Sequence, residues 1–207
     1  MRVERVEASK HKKGRVLVFL GDGACLKITE QELLDFGLRS GDDLDQEALG
    51  RLKEAAGVSN TRAAAADLIG KRAMSRRDLE RKLQEKGASE AEARYAAEWL
   101  EAIGALNDAE YAAALVRHYS GMGYGPARVR EKLYEKGVPR ELWEDALEEL
   151  PEESGQVDAF LRRKLRGRIP DEKEKRRLTN ALLRRGFPWG EVKSAWRRMG
   201  EEIEQED

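Results

Sequence analysis

Basic side chains crowd one stretch of this 207-residue chain. Between Arg162 and Arg198 there are 14 lysines and arginines against four acids, a net charge of +10. Clustered cations of this kind bind phosphate groups, and nucleic acid is the polyanion that fits them. The candidate nucleic-acid contacts are Arg162, Arg163, Lys164, Arg166, Arg168, Lys175, Arg176, Arg177, Arg184 and Arg185. A solvated helix surface with local salt bridges is the alternative interpretation.

Two earlier groups of cations are mixed with acids. They are further candidate contacts for DNA or its protein filament: Arg76, Arg77, Arg81 and Lys82, and then Arg128, Arg130 and Lys132. Acids three or four residues away on a helix can neutralise them. The whole chain has a net charge of −1, because residues 140–158 hold eight acids and one base. We expect the basic zone to face phosphates and the acidic zones to face a basic protein surface.

Other kinds of site find little support. His11 and His118 are far apart and lack ligand spacing, and the single Cys25 excludes an intrachain disulfide and suits a buried residue in a reducing compartment. The glycine-rich run 121–126 follows a helix pattern and lacks the Gly-Lys-Ser/Thr ending of a P-loop, so it predicts an interhelical turn. The sequence predicts no catalytic residue, no metal, no cofactor and no small-molecule substrate.

The aromatic residues could stack on bases, but most fit a core. Trp143 and Trp196 fall at core positions of their helices, and we expect burial of Trp99 and Trp189 as well. Tyr124 lies between two loop glycines and is expected to be more exposed.

The helices that position these side chains belong to a segment that occurs three times in the sequence. Each copy is a short basic helix with two apolar residues at i and i+4, closed by a glycine suited to a left-handed conformation. The copies run over residues 75–87, 125–137 and 174–186. A helix precedes each copy, at about 62–73, 108–120 and 155–166, and another follows it. Ser89 and Glu92 form a capping box for one of the following helices, while Pro139 and Pro188 fit the first turns of the others.

The predicted fold is therefore mainly α, with three tandem three-helix repeats forming an elongated curved array after a small β-containing module. The first, second and third repeats are predicted at 61–107, 108–153 and 154–200, with an acidic tail at 201–207. The module, residues 1–57, has β-rich runs that predict three strands, a hairpin loop at 9–14 and a capping box at Thr29 and Glu32. Residues 57–60 are predicted to be a linker into the repeats.

Composition agrees with such an array. Aromatic residues make up 6% and charged residues 38%, with a mean hydropathy of −0.73, which is typical of a surface-rich helical protein. No secretory h-region or membrane-spanning run is visible, so we expect a soluble, cytoplasmic monomer without membrane contact.

The second repeat resembles the central signature of the RecX family, the regulators of the RecA recombinase. The residues that carry this resemblance are Tyr111, Gly121, Gly123, Gly125, Pro126, Arg128, Val129, Leu133, Lys136, Gly137 and Val138. The first repeat adds Ser75, Asp78, Leu79, Lys82 and Leu83, and the third adds Leu182, Gly186, Phe187 and Trp196. The third signature departs from the others, with Asn180 and Ala181 where the first repeat has Arg81 and Lys82.

The resemblance implies a protein without catalytic chemistry. Its partners would be the RecA recombinase filament and single-stranded DNA, directly or within the filament. Members of this family lie in the filament groove, suppress its ATPase and strand exchange, and so regulate DNA repair and recombination. Two alternatives stay open: a stand-alone helix-turn-helix DNA-binding protein, and a helical scaffold that binds only proteins.

Overall fold

The computed structural model describes residues 1–150 and 153–206, which form two compact units. One unit contains residues 1–73 and 77–106, and the other contains residues 74–76 and those from 107 onward. The predicted fold class is confirmed, because the chain is mainly helical with a small N-terminal sheet. None of the described helices combines the length and the hydropathy needed to cross a bilayer.

The elements follow one another in a simple order. The first unit has β1 (Val3–Ala8), β2 (Arg15–Leu20), β3 (Cys25–Thr29), α1 (Glu30–Asp35), α2 (Gln46–Lys71), α3 (Arg76–Glu85, apart from its first residue) and α4 (Glu90–Ala102). The second unit has α5 (Asp108–Gly121), α6 (Pro126–Glu135), a 3₁₀ turn (Arg140–Leu142), α7 (Trp143–Leu147), α8 (Glu153–Leu165), α9 (Glu172–Arg184) and α10 (Trp189–Glu206). The boundaries that divide the chain into a module and three repeats stay a prediction.

The sheet has the antiparallel order β1-β2-β3, with each strand beside its neighbour in sequence. Alternation along β2 buries Val16, Val18 and Leu20 on one face, where they pack with Ile28 and with Leu52 of α2. Three strands become stable only when such a face is covered, and α2 supplies the cover. The predicted strands and the Thr29–Glu32 capping box are confirmed.

The predicted linker at 57–60 is wrong, because α2 continues through it without interruption. Asn60 donates from Nδ2 to the Lys27 carbonyl oxygen at 2.7 Å, and Ser59 Oγ accepts from the Arg15 guanidinium at 2.9 Å. Gly57 has no Cβ at a point where one would lie 1.9 Å from Glu92 Oε1 of α4. These contacts keep the segment helical although its composition is typical of a loop.

Two cores lie among the described residues of the second unit. One gathers Val116, Val129 and Leu133 from α5 and α6, and the other gathers Leu161 and Leu182 from α8 and α9 with residues of α10. The closing glycines of the three copies all adopt the predicted left-handed conformation: Gly87 (φ +95°), Gly137 (φ +71°) and Gly186 (φ +87°).

Two helix starts differ slightly from expectation. Pro139 and Pro188 lie immediately before the first helical residue and not inside the first turn. Pro126 does occupy the first turn of α6, as predicted, and Ser89 caps α4 with Glu92.

Candidate nucleic-acid interface of the third repeat

The cationic face of α9 is the side of that helix that carries Lys173, Arg176, Arg177 and Arg184. All four side chains are exposed, and their spacing places them in one row opposite the buried Leu178 and Leu182. The row extends over roughly 16 Å, at 1.5 Å per residue. Within the described part of the chain, neither Arg176 nor Arg184 forms an ion pair, so both charges are available to an anionic partner.

The acids of α9 are confined to its first turn. Asp171 caps the helix by accepting from the Glu174 backbone N–H at 2.6 Å, and Glu174 pairs with Arg177 at 3.2 Å. Negative charge at a helix N-terminus is stabilising, whereas positive charge is favoured near the C-terminus. The remaining ten residues of the helix contain four cations and no acid, so the cationic surface agrees with the helix dipole.

The basic run at the end of α8 is also exposed. Arg163, Lys164, Arg166 and Arg168 all lie at the surface, as does Arg162, which has a partner of its own. Arg166 is unusual because its φ is +51°, a left-handed conformation that costs a residue with a side chain about 1–2 kcal/mol. A glycine would adopt this conformation freely, yet an arginine occupies the position.

The cations of α6, and Arg81 of α3, behave differently, because neighbouring acids neutralise them. Arg81 pairs with Asp78 and Glu85, Arg128 with Glu131, and Lys132 with Glu135 at 2.5 Å, while Arg130 approaches Glu144 at 3.4 Å. The hydrogen bond to Glu131 raises the pKa of Arg128 above its ordinary value. Arg77 is an exception, because it is exposed and forms no ion pair among the described residues, and Arg76 is half-buried.

Lys175 and Arg185 lie against aromatic rings. The Lys175 ammonium is 5.8 Å from the centre of the Trp196 ring, and the Arg185 guanidinium is 4.8 Å from that of Phe160. Such contacts hold the cations in place without removing their charge. Arg185 is half-buried, so of the two, Lys175 is the more open to a partner.

The structure corrects three expectations about burial. Trp189 is 60% exposed at the start of α10, whereas the other three tryptophans are half-buried. Tyr124 is half-buried because it stacks on Tyr119, with ring centres 5.9 Å apart. Cys25 is exposed, contrary to its predicted burial, since its side chain projects from the edge strand β3.

The joint between the second and third repeats has no signal in the sequence. The Gly125 N–H donates to the Arg185 carbonyl oxygen at 2.7 Å, and the Ala127 N–H donates to that of Gly186 at 3.2 Å. A Cβ on Gly125 would lie 2.6 Å from Gly186 O, so the two backbones touch directly. Gly125 and Gly186 are both part of the repeated segments seen in the sequence, but nothing in the sequence indicated that they touch.

No cluster for metal binding is present in the described ranges, where no three His, Cys, Asp or Glu residues could hold an ion together. The described surface of the third repeat does offer exposed cations. They can bind anions, and their arrangement in a row suits a polyanion.

Comparison with known proteins decides the family. The model described as RecX, second three-helix domain, matches residues 107–147, and that of the third three-helix domain matches residues 152–196. A protein named regulatory protein RecX from Pseudomonas putida is 36% identical over 129 residues, which cover 61% of this chain and 83% of that protein. This chain belongs to the RecX family. Another regulatory protein RecX, from Pseudomonas entomophila, is 34% identical over 128 residues with the same coverage of each chain.

Solved RecX structures share the fold. A crystal structure of regulatory protein RecX has a TM-score of 0.68 and 23% identity, covering 93% of this chain and 98% of that one. RecX from Lactobacillus salivarius has a TM-score of 0.63 and 22% identity, covering 73% of this chain and 99% of that one. The family assignment gives this chain a RecX regulatory role.

Proposed function

We propose that this RecX protein binds the RecA–single-stranded DNA filament and inhibits its ATPase and strand exchange, with the third repeat facing DNA phosphates. The observation that carries the proposal is the cationic face of α9, in which Arg176 and Arg184 form no ion pair among the described residues. Unpaired surface cations release counterions when they contact phosphates, and this release drives binding. The protein acts by occupying the filament and not by catalysis.

The neutralised cations of the second repeat support the proposal that the second and third repeats contact different partners. Arg128 and Lys132 are paired with acids of their own helix, so that surface suits a protein partner with mixed charge better than a polyanion. The filament offers both kinds of surface, because protein and DNA are exposed side by side.

The test is the single-stranded-DNA-dependent ATPase rate of the cognate RecA while the RecX protein is titrated in. The wild type should inhibit well below one RecX per RecA monomer. Arg176→Glu/Arg184→Glu should weaken inhibition and reduce the slope of log affinity against log salt by about 1.4, as expected for two lost phosphate contacts. Lys10→Glu/Lys13→Glu makes the same charge change in the exposed loop between β1 and β2 and should inhibit like the wild type.

Two results would overturn the proposal. A flat ATPase rate with a wild type that still binds bare DNA would favour a stand-alone DNA-binding protein. Equal inhibition by the wild type and both double variants across a salt series would exclude a role for the cationic face of α9.

A further inference from the structure

A cleft of about 380 Å³ lies inside the second unit, where the end of α5 and its glycine-rich loop meet α8 and the end of α9. Its walls include Arg117, Gly121 and Gly123 from the second repeat, and Gln156, Arg163 and Arg185 from the third. The volume is at the lower end of the range for small-ligand pockets, which suits a single nucleotide. The cleft is separate from the cationic face of α9.

The charge of the cleft is positive. Three arginines line it, and the carboxylate of Glu149 is the one acid among its described lining residues. Arg117 is paired with Glu149 at 2.6 Å, whereas Arg163 is exposed and forms no ion pair among the described residues. An anion that entered would meet one free guanidinium at once and could compete with Glu149 for a second.

Arg185 is the third cation, and the glycine loop determines its position. Its Nη1 lies 3.5 Å from the Gly123 carbonyl oxygen, which is a long hydrogen bond, and no carboxylate of the described chain pairs with it. A Cβ on Gly123 would lie 2.9 Å from this same Nη1, and Gly123 has a φ of +77°. A half-buried guanidinium without a counterion is unfavourable, so an anion that binds beside Arg185 is stabilised by supplying the missing counterion.

Gln156 distinguishes between the anions that could enter. Its Oε1 is buried and accepts no hydrogen bond from the described residues, which is uncommon for a buried polar atom. A nucleotide can satisfy that oxygen with an N–H of its base after a small movement of the side chain. The carboxylate of an acidic protein segment has no donor to offer.

We infer that this cleft holds one nucleotide of single-stranded DNA, with Arg163 and Arg185 as ligands of its phosphate, Gln156 as the acceptor for its base and Glu149 as the residue that limits affinity. The inference rests on the proposed function and deepens it by assigning a second DNA contact, built from both repeats. Glu149 holds Arg117 until the phosphate replaces the carboxylate.

Removal of Glu149 gives a test that misfolding cannot imitate, because binding should improve. Glu149→Gln frees Arg117, and the affinity for a fluorescent single-stranded oligonucleotide at low salt should rise roughly fivefold. The salt slope should steepen by about 0.7, the value for one added phosphate contact. Glu148→Gln is the matched control, because it removes the same charge from an exposed neighbour that does not line the cleft.

Arg163→Gln provides the opposite change at an exposed position, and it should lower the affinity and make the slope shallower by about 0.7. The inference is overturned if Glu149→Gln and Glu148→Gln behave alike, if Arg163→Gln leaves the slope unchanged, or if the wild type binds no bare oligonucleotide. The ATPase assay tests the proposed function separately. If Arg176→Glu/Arg184→Glu loses inhibition, the proposed function stands in each of these cases.

Discussion

Helices α6 and α9 occupy the same position in the second and third repeats, but their solvent-facing residues differ. Each buries two apolar residues at i and i+4, Val129 with Leu133 and Leu178 with Leu182, and each is closed by a left-handed glycine. At the positions of Glu131 and Glu135 in α6, however, α9 has Asn180 and Arg184.

This difference changes the function of the surface without changing the fold. In α6 the two acids pair with Arg128 and Lys132, whereas in α9 only Arg177 is paired, with Glu174, and Arg176 and Arg184 form no ion pair among the described residues. The buried positions determine whether the helix packs, and they are apolar in both copies. The solvent face contributes little to packing, so it is free to specialise in each repeat.

The largest expected effect is at the point where α9 meets α6. Gly186→Ala places a Cβ 2.4 Å from the Arg128 backbone nitrogen and forces alanine into a left-handed conformation. Conformational strain of about 1–2 kcal/mol and overpacking of about 1–3 kcal/mol should together lower the free energy of unfolding by roughly 2–5 kcal/mol. Urea denaturation followed by circular dichroism measures this loss.

Gly87→Ala is the matched control for Gly186→Ala. Gly87 occupies the same position of the first copy with a φ of +95°, but no atom lies within 4 Å of the point that a Cβ would occupy there. It should lose the strain energy alone, about 1–2 kcal/mol. Equal losses at the two glycines would show that the backbone contact between α6 and α9 is not a tight one.

The next effect converts the surface of α6 into that of α9. Glu131→Asn/Glu135→Arg frees Arg128 and Lys132 and adds a cation, so affinity for single-stranded DNA should rise at least threefold at low salt. Anisotropy titration of a labelled oligonucleotide measures the change. Glu47→Asn/Glu4→Arg alters the net charge equally on exposed residues of the first unit. The same gain in both variants would mean that net charge, and not its placement on α6, controls binding.

The second and third repeats also differ in the turn that follows their first helix, where Arg166 lies. In the second repeat the left-handed position belongs to Gly123, whereas in the third it is shared by Arg166 and Gly167. Arg166→Gly relieves about 1–2 kcal/mol of strain but adds roughly 0.5–1 kcal/mol of unfolded-chain entropy, so the net gain in stability should be about 0.5 kcal/mol.

The same Arg166→Gly variant should inhibit RecA less, because a cation is lost. Arg168→Gly removes an equal charge two residues later, where φ is not positive, and should be less stable than the wild type. Urea midpoints of the two variants should therefore move in opposite directions. A lower midpoint for Arg166→Gly would contradict the strain assigned to this residue.

The smallest effect is the pH dependence of the α6 ion pair. The hydrogen bond from Lys132 lowers the pKa of Glu135 below its ordinary 4.5 in the folded state. The unfolded chain therefore takes up the proton first as pH falls, so the stabilisation is present above about 4.5 and is lost through the lower folded pKa. The stability difference between the wild type and Glu135→Gln should shrink in acid, as followed by urea midpoints across pH. A constant difference would contradict the shift.

Much of the fold was predictable because its signals are local. The capping boxes at Thr29 and Ser89, the alternation of β2 and the closing glycines each depend on neighbours within a few residues. The basic zone at 162–198 was equally visible, and its exposure is confirmed for Arg163, Arg176 and Arg184. Its contact with DNA stays a prediction.

The predictions that proved wrong concern residues whose distant contacts override a local sequence signal. Gly57 and Asn60 favour a loop by composition, but the sheet and α4 hold them in α2 through the Lys27 carbonyl oxygen and the space beside Glu92. Trp189 has the large apolar side chain of a core residue, yet the start of α10 leaves 60% of it exposed.

The sequence by itself determined the repeated helix, its apolar positions, its closing glycine and the location of the basic zone, because each depends on residue type and spacing along one helix. Only the tertiary structure decided the ion pairs between distant residues, such as Arg117–Glu149, whereas the pairs of Arg81, Arg128 and Lys132 join residues three or four apart on one helix. It also brought Gly125 onto Gly186 and assembled the cleft around Arg185. These contacts depend on how the second repeat packs against the third, and no local pattern specifies that packing.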